Sequence, residues 1–262
     1  MNNNKRKLLL QIANLLTPIP IFVVTSLISL LVPNFGQPFD SEGYESLIDP
    51  SGFAFAIWFP IFIFLGIFYF YQARDLFKSD EDKIEMSFIH QISIFFILST
   101  IMPALWYLFW GFQVVWLSTL FMILYLVVLL MGYLRLEINL VERSRIEKIA
   151  IVVPWSMHTA WITAATIISV KTFFISISFN NPPFLFPENV WAILILLVAL
   201  AIYTAVVITR KDYIFGAVGI WVLFAILAER LTAPTLVLEI VIVCIIGIGI
   251  LTLALIYMIY RT

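Results

Sequence analysis

Residues Asp49–Gln72 read DPSGFAFAIWFPIFIFLGIFYFYQ, one long apolar segment that indicates what kind of protein this is. A Pro–Ser–Gly turn opens it, and no charged residue occurs from Ser51 to Ala73. About 20 apolar residues are enough to cross the hydrocarbon core of a bilayer as a helix. The stretch therefore predicts a membrane-spanning helix over residues 52–73.

Small and aromatic residues alternate in the first half of this span, where Phe55 and Trp58 follow Gly52 and Ala54. Small side chains let a neighbouring helix approach closely. Trp58 is expected about one and a half turns into the helix, deeper than the membrane interface where indoles usually lie. Core packing and contact with a bound ligand both explain a tryptophan at that depth.

The composition excludes a soluble protein. Of the 262 residues, 63% are hydrophobic and only 12% are charged, whereas soluble domains contain about 45–50% apolar residues. The single cysteine rules out an intrachain disulfide, and with only two histidines no metal site is expected. The lipid bilayer is the expected surrounding, and no nucleic-acid partner is expected.

Polar segments separate eight apolar runs. The predicted spans cover residues 8–32, 52–73, 88–110, 114–134, 149–170, 190–209, 213–229 and 236–260. The first is predicted to be a retained helix that is kinked near Pro18 and Pro20. Backbone hydrogen bonds in lipid must close within helices, and the loops are too short for a soluble domain. The predicted fold class is an all-α, polytopic transmembrane helix bundle with eight spans.

The positions of Lys and Arg predict the orientation. Cytoplasmic loops of membrane proteins carry an excess of these residues. With the N-terminus inside, 13 of the 15 fall on the inner side. These are Lys5, Arg6, Lys7, Arg74, Lys78, Lys83, Arg135, Arg143, Arg145, Lys148, Arg210, Lys211 and Arg261. Only Lys171 and Arg230 fall outside, so both termini are predicted to be cytoplasmic.

The fifth span carries the residues of most chemical interest. His158, Trp161 and Ala165 share one helical face by their i, i+3 and i+4 spacing. An ionisable residue inside a membrane is a functional hypothesis by default. His158 is either a polar contact for a ligand, a neutral imidazole hydrogen-bonded to a neighbouring helix, or an axial haem ligand.

No pattern of catalytic residues occurs. The sequence has no glycine-rich phosphate loop, no Ser–His–Asp set and no acidic pair within the spans. We therefore expect a protein that is not an enzyme.

Three stretches resemble the TspO/MBR family, the tryptophan-rich sensory proteins related to the mitochondrial translocator protein. Pro50 to Gly52 with Trp58 is similar to that family's Pro–Gly turn and second-helix tryptophan. The run from Ala104 through Trp106 to Gly111 is similar to its third-helix alanine–tryptophan stretch. Trp161 followed by Ala165–Thr166 is similar to its fifth-helix motif. The resemblance covers roughly residues 8–172.

The resemblance implies a five-helix transmembrane domain at residues 1–172 and a three-helix extension at residues 173–262, as in long bacterial members. It also implies a receptor in the bacterial cytoplasmic membrane that binds a planar apolar ligand such as a porphyrin or another tetrapyrrole, with no permanently bound cofactor. A homodimer is left open. The expected ligand-binding residues are Phe55, Trp58, Trp106, His158, Trp161 and Ala165.

A secondary transporter for a small hydrophobic or amphipathic solute is the alternative. Prolines interrupt several spans, and His158 and Glu239 could then lie along a substrate path. No internal repeat relates the two halves of the chain, which counts against this alternative.

Overall fold

The computed structural model describes residues 3–33, 35, 43–179, 183 and 185–261. These residues form ten α-helices, and none of them lies in a β-strand. The α-helices are α1 (Asn3–Leu16), α2 (Pro18–Leu31), α3 (Trp58–Ala73), α4 (Ser87–Gly111), α5 (Val115–Arg135), α6 (Arg145–Glu147), α7 (Val153–Ser176), α8 (Glu188–Arg210), α9 (Tyr213–Thr232) and α10 (Leu238–Arg261). Gly52–Ile57 and Asp80–Asp82 are 3₁₀-helical, and Lys148–Val152 forms a π-helical turn.

Eight helical segments in this part of the chain are long and apolar enough to cross a membrane. They are Asn4–Leu31, Gly52–Ala73, Ser87–Gly111, Val115–Arg135, Arg145–Ser176, Glu188–Arg210, Tyr213–Thr232 and Leu238–Arg261. Each coincides with one predicted span, so the predicted all-α transmembrane fold with eight spans is confirmed. Asp40 and Glu42, in the segment that joins the first two predicted spans, lie outside the described residues.

The first span is interrupted where the prolines were predicted to act. α1 ends at Leu16 and α2 begins at Pro18, with Pro20 still in its first turn. Proline is tolerated in the first turn of a helix because the amide that it lacks has no intrahelical partner there.

The second span does not begin as an α-helix, which corrects the expected setting of Trp58. Gly52–Ile57 is 3₁₀-helical, and Trp58 is the first residue of α3. The backbone N–H of Ala54 donates to the carbonyl of Ser51 at 2.9 Å, an i to i+3 bond. A 3₁₀-helix rises about 2.0 Å per residue against 1.5 Å for an α-helix. Six such residues therefore carry Trp58 about 3 Å further along the axis than an α-helix would.

The fifth span is longer than predicted. α7 continues to Ser176, so Lys171 lies on the helix and not in the following loop. No proline or glycine occurs between these two residues to end the helix. The span Arg145–Ser176 is also the most buried of the eight, with 72% of its most apolar window enclosed by protein.

The chain divides into two compact units. The first comprises Met1–Pro38 and Phe59–His158, and the second comprises Phe39–Trp58 and Thr159–Thr262. The boundary therefore cuts α7, between His158 and Thr159. The division at residue 172 that the resemblance implies stays a prediction.

In the first unit, α4 packs along α5 and also contacts α1 and α2. α3 joins α4 through Phe68 and Phe96, whose ring centroids are 4.7 Å apart. On α5, Gly132 admits the buried ring of Trp155, because a Cβ atom at this position would lie 2.1 Å from a carbon of that ring.

In the second unit, α8, α9 and α10 pack against one another. The buried hydroxyl of Tyr203 on α8 donates to the backbone carbonyl of Ala160 on α7 at 2.7 Å. Gly219 of α9 lies directly against the Tyr203 ring, where a Cβ atom would come within 2.7 Å. The three C-terminal spans are thus tied to the C-terminal part of α7 by a specific polar contact.

Candidate functional site

Three of the predicted site residues form one aromatic cluster in the second unit. The Trp161 ring is 5.8 Å from Phe55 and 6.4 Å from Trp58, measured between centroids, and both pairs meet edge to face. Trp161 is only 3% exposed, whereas Phe55 and Trp58 are half-buried. Edge-to-face contacts at these distances are favourable for aromatic rings. The structure therefore brings Phe55, Trp58 and Trp161 together through direct ring contacts.

α9 holds the segment that carries Phe55 and Trp58. The amide of Ser51 donates to the carbonyl of Ala225 at 3.1 Å. The indole nitrogen of Trp221 donates to the carbonyl of Ala54 at 2.9 Å. The short 3₁₀-helix leaves carbonyls such as that of Ala54 available, since a tight helix of one or two turns closes few internal bonds. The seventh span thereby positions the aromatic cluster.

Ala165 and Trp106 are predicted site residues that lie outside the aromatic cluster. Ala165 is half-buried on α7, one turn beyond Trp161. Trp106 belongs to the first unit, where it is half-buried on α4, and its backbone carbonyl accepts a hydrogen bond from the Ser118 hydroxyl at 3.3 Å. A ligand contact at Trp106 or at Ala165 stays a prediction.

His158 has a tyrosine partner in the first unit. Its Nε2 atom is hydrogen-bonded to the hydroxyl of Tyr125 on α5, and the two rings meet edge to face at 5.4 Å between centroids. Both side chains are buried, at 6% and 2% exposure. A buried imidazole needs such a partner, because an unmade hydrogen bond in an apolar surrounding is costly. Within the described residues, no group of three or more His, Cys, Asp or Glu side chains could hold a metal ion.

A cavity of about 1070 Å³ lies within the second unit. Its walls come from the segment 43–47, the C-terminal half of α7, the N-terminal half of α8 and the end of α9. Ligand pockets in proteins typically measure about 300–1,000 Å³. The lining is mostly aliphatic and aromatic, with Lys171, Glu188 and Arg230 among its polar members.

A buried polar network ties α1 to the end of the second span in the first unit. The Lys7 ammonium lies 2.5 Å from Asp75, and Gln11 donates to the same carboxylate at 2.8 Å and to the carbonyl of Gln72 at 2.6 Å. Burial opposes ionisation of Asp75, but hydrogen bonds from Lys7, Gln11 and the Ile84 amide, together with the Lys7 charge, lower its pKa below the ordinary value. This carboxylate is therefore ionised at neutral pH.

Three features were missed by reasoning from the sequence. Trp221 had no distinguishing signal, because its partner Ala54 is 167 positions away. Tyr125 is one of ten tyrosines and carries no local motif. The sequence does carry one signal of the cavity. Lys171 and Arg230 are the two cations that the charge pattern assigns to the outer side, and both line the cavity.

Comparison with known families agrees with the motifs and the helical architecture. The family model described as TSPO-like protein matches residues 11–257, which reaches into all eight spans and continues well beyond residue 172. Neither a curated protein nor a solved structure matches the chain significantly. The predicted family resemblance is confirmed. This eight-span membrane protein belongs to the family of TSPO-like proteins.

Proposed function

We propose that this protein is a membrane receptor that binds a planar apolar ligand, such as a porphyrin, at the aromatic cluster of Phe55, Trp58 and Trp161. The observation that supports the proposal is the contact between two tryptophans at the start of α3 and in the middle of α7. Large flat π-surfaces suit stacking on a planar apolar molecule. Family membership adds a second, coarser support.

The ring geometry refines how such a ligand would lie. The planes of Trp58 and Trp161 are inclined at 83°, and the rings are already in contact. A planar ligand therefore cannot insert between the two indole rings and stack on both of them at once. The ligand would therefore lie against the cluster on its half-buried side, formed by Phe55 and Trp58. Trp161 would act as the buried support that fixes the orientation of both rings.

The receptor is proposed to lie in a bacterial cytoplasmic membrane with both termini in the cytoplasm. The support is the distribution of Lys and Arg, of which 13 of 15 fall on the inner side in that orientation. Labelling of single introduced cysteines at the two ends, in intact cells and in inverted vesicles, tests this orientation.

Titration with protoporphyrin IX tests the ligand site. Wild-type protein and the Trp58→Phe/Trp161→Phe variant would be reconstituted in lipid nanodiscs, and the dissociation constant followed by porphyrin absorbance. We expect the double variant to bind about tenfold more weakly, since an aromatic contact contributes about 0.5–1.5 kcal/mol. The control is Trp116→Phe, because Trp116 is 57% exposed on α5. Equal dissociation constants for the double variant and the wild type would refute this site.

A further inference from the structure

The large cavity shares α7 with the aromatic cluster but is lined by none of the three rings of that cluster. Successive residues of an α-helix are about 100° apart around its axis. Trp161 and Ala165 therefore point within about 40° of each other, whereas the cavity-lining Val170 and Phe174 point about 140–180° away from them. The cavity is thus separate from the proposed porphyrin site, although both use α7.

The lining is apolar along most of its length and carries charge at one end. Ile167 and Phe174 of α7 face Leu194 and Val198 of α8. Near the end of α7, the Lys171 ammonium contacts both carboxylate oxygens of Glu188, at 2.7 and 2.8 Å. The Lys171 side chain is 7% exposed, whereas that of Glu188 is 40% exposed, so water reaches the carboxylate partner of this ion pair. Its charge is balanced within the protein.

The positive charge of Arg230 is less well balanced by neighbouring carboxylates than that of Lys171. Its guanidinium meets Glu229 only at 3.8 Å, longer than a hydrogen bond, and Glu229 is 36% exposed. The Arg230 side chain is 12% exposed, and its buried Nε has no hydrogen-bond partner among the described residues. A largely buried guanidinium whose Nε donor is unused is costly unless an anion or another acceptor satisfies it.

A further carboxylate lines the same cavity but does not satisfy Arg230. Glu45 is exposed and accepts a hydrogen bond from the Gly43 amide at 3.1 Å. Hydrogen bonds from its own backbone amide and from that of Gly43 lower its pKa, so Glu45 is ionised at neutral pH. Water and salt screen an exposed charge of this kind.

We propose that this cavity binds an amphipathic carboxylate, a molecule with one carboxylate head and an apolar body. The head would pair with the guanidinium of Arg230, and the body would occupy the aliphatic and aromatic channel between α7 and α8. The planar guanidinium offers a fork of donors that matches the two oxygens of a carboxylate. The Lys171–Glu188 pair borders the head but is neutral as a pair, so Arg230 is the cation that would select a carboxylate.

Binding of cis-parinaric acid, a fluorescent fatty acid, tests the proposal. Full-length protein in phosphatidylcholine nanodiscs would be titrated, with empty nanodiscs as the background, and energy transfer from the protein's tryptophans would report binding. Trp191 lines the cavity and serves as a nearby donor. We expect wild-type protein to bind the acid about tenfold to a hundredfold more tightly than its methyl ester, because a charge-assisted hydrogen bond is lost in the ester. Equal affinities for acid and ester would overturn the proposal without any mutation.

Two variants locate the carboxylate. Arg230→Gln should weaken binding of the acid by the same factor and leave binding of the ester unchanged. The matched control is Lys78→Gln, which removes an exposed cation that does not line the cavity. Ile195→Trp, which fills part of the channel, should weaken binding of both acid and ester. Unchanged binding of the acid in Arg230→Gln would overturn the assignment of the head-group partner.

Two further measurements distinguish a carboxylate site from a lipid phosphate site and from the porphyrin site. Displacement of the acid by nanodiscs that contain phosphatidylglycerol, but not by phosphatidylcholine alone, would overturn the carboxylate assignment in favour of a lipid phosphate. Trp58→Phe/Trp161→Phe should bind parinaric acid like the wild type. A porphyrin affinity that falls in Arg230→Gln and not in that double variant would instead overturn the proposed function and leave the cavity as the porphyrin site.

Discussion

Trp221 and Ala54 are joined by a hydrogen bond of 2.9 Å, from the indole nitrogen of α9 to a backbone carbonyl of the 3₁₀ segment before α3. The Trp221 ring also packs edge to face on Phe53, at 5.4 Å between centroids. The seventh span, which lies outside the five-helix region of the resemblance, therefore fixes the segment that carries two of the three rings of the aromatic cluster. Ligand binding at Trp58 should depend on a residue that touches no ligand.

Trp221→Phe tests this dependence. Phenylalanine keeps an aromatic ring against Phe53 but removes the donor to Ala54. We expect the protein to lose about 0.5–1.5 kcal/mol of stability and to bind protoporphyrin IX more weakly. Thermal unfolding and the porphyrin titration measure the two effects, with Trp116→Phe as the control for loss of one indole. Unaltered porphyrin affinity in Trp221→Phe would show that the 3₁₀ segment holds its position without this bond.

Tyr125→Phe tests the partner of His158. The change keeps the ring and removes the hydroxyl, so the buried imidazole loses a hydrogen bond. A buried polar group left unpaired costs about 1–3 kcal/mol, and the melting temperature should fall accordingly. Tyr260→Phe is the matched control, because Tyr260 is 87% exposed. Equal melting temperatures for the two variants would show that the Tyr125–His158 hydrogen bond makes no measurable contribution to stability.

Gly132→Ala tests the closeness of α5 to Trp155. The added methyl group would lie 2.1 Å from the buried ring, so the ring or the helix must shift. Overpacking of this kind typically costs about 1–3 kcal/mol. Gly66→Ala is the matched control on α3, since nothing lies within 4 Å of its added Cβ. That variant should be neutral or more stable by up to about 1 kcal/mol, from helix propensity alone. The opposite order of stabilities would contradict close packing of α5 on Trp155.

Asp75→Asn tests the buried network at the end of the second span. The variant leaves the buried Lys7 ammonium without its counter-charge, which typically costs about 3–5 kcal/mol. Asp82→Asn removes an exposed carboxylate and should change stability by less than about 0.5 kcal/mol. Thermal unfolding at pH 7 measures both variants. A small effect of Asp75→Asn would mean that the network tolerates an amide.

The same carboxylate predicts a pH dependence. Because the pKa of Asp75 is lower in the folded protein than in the unfolded chain, its contribution to stability is complete above the unfolded pKa of about 3.9. That contribution is lost as the pH falls from there through the folded pKa. The gap in melting temperature between wild type and Asp75→Asn should therefore narrow below about pH 4. A gap that stays constant down to about pH 3 would contradict this linkage.

The spans could be predicted because hydrophobic length and the spacing of charges are local properties of the sequence. Residues 52–73 form the predicted span, since a helix closes its backbone hydrogen bonds within the segment, as lipid requires. Local patterns did not predict the 3₁₀ start at Gly52–Ile57. It is fixed by hydrogen bonds to α9, one of them from a residue 167 positions away.

The site could be predicted only in part. Phe55, Trp58 and Trp161 were named from their depth and from family motifs, and they are in contact. Their ring orientation depends on packing, which helical periodicity does not encode. The cavity is built from four separated segments. The predicted fifth span ends at residue 170, before Lys171, because a charged residue usually marks the end of an apolar run. On the helix, the Lys171 charge is paired with Glu188.

The enclosure of the fifth span by protein sets how freely each part of this chain can vary. Positions that face lipid need only an apolar side chain, so one aliphatic residue can replace another there with little loss of stability. Most of α7 is enclosed by protein, and at its buried positions the same exchange creates a void or a clash. A library of random substitutions, sorted for folded protein, should therefore accept the fewest changes in α7. The positions of α7 that accept no change should include residues of both sites.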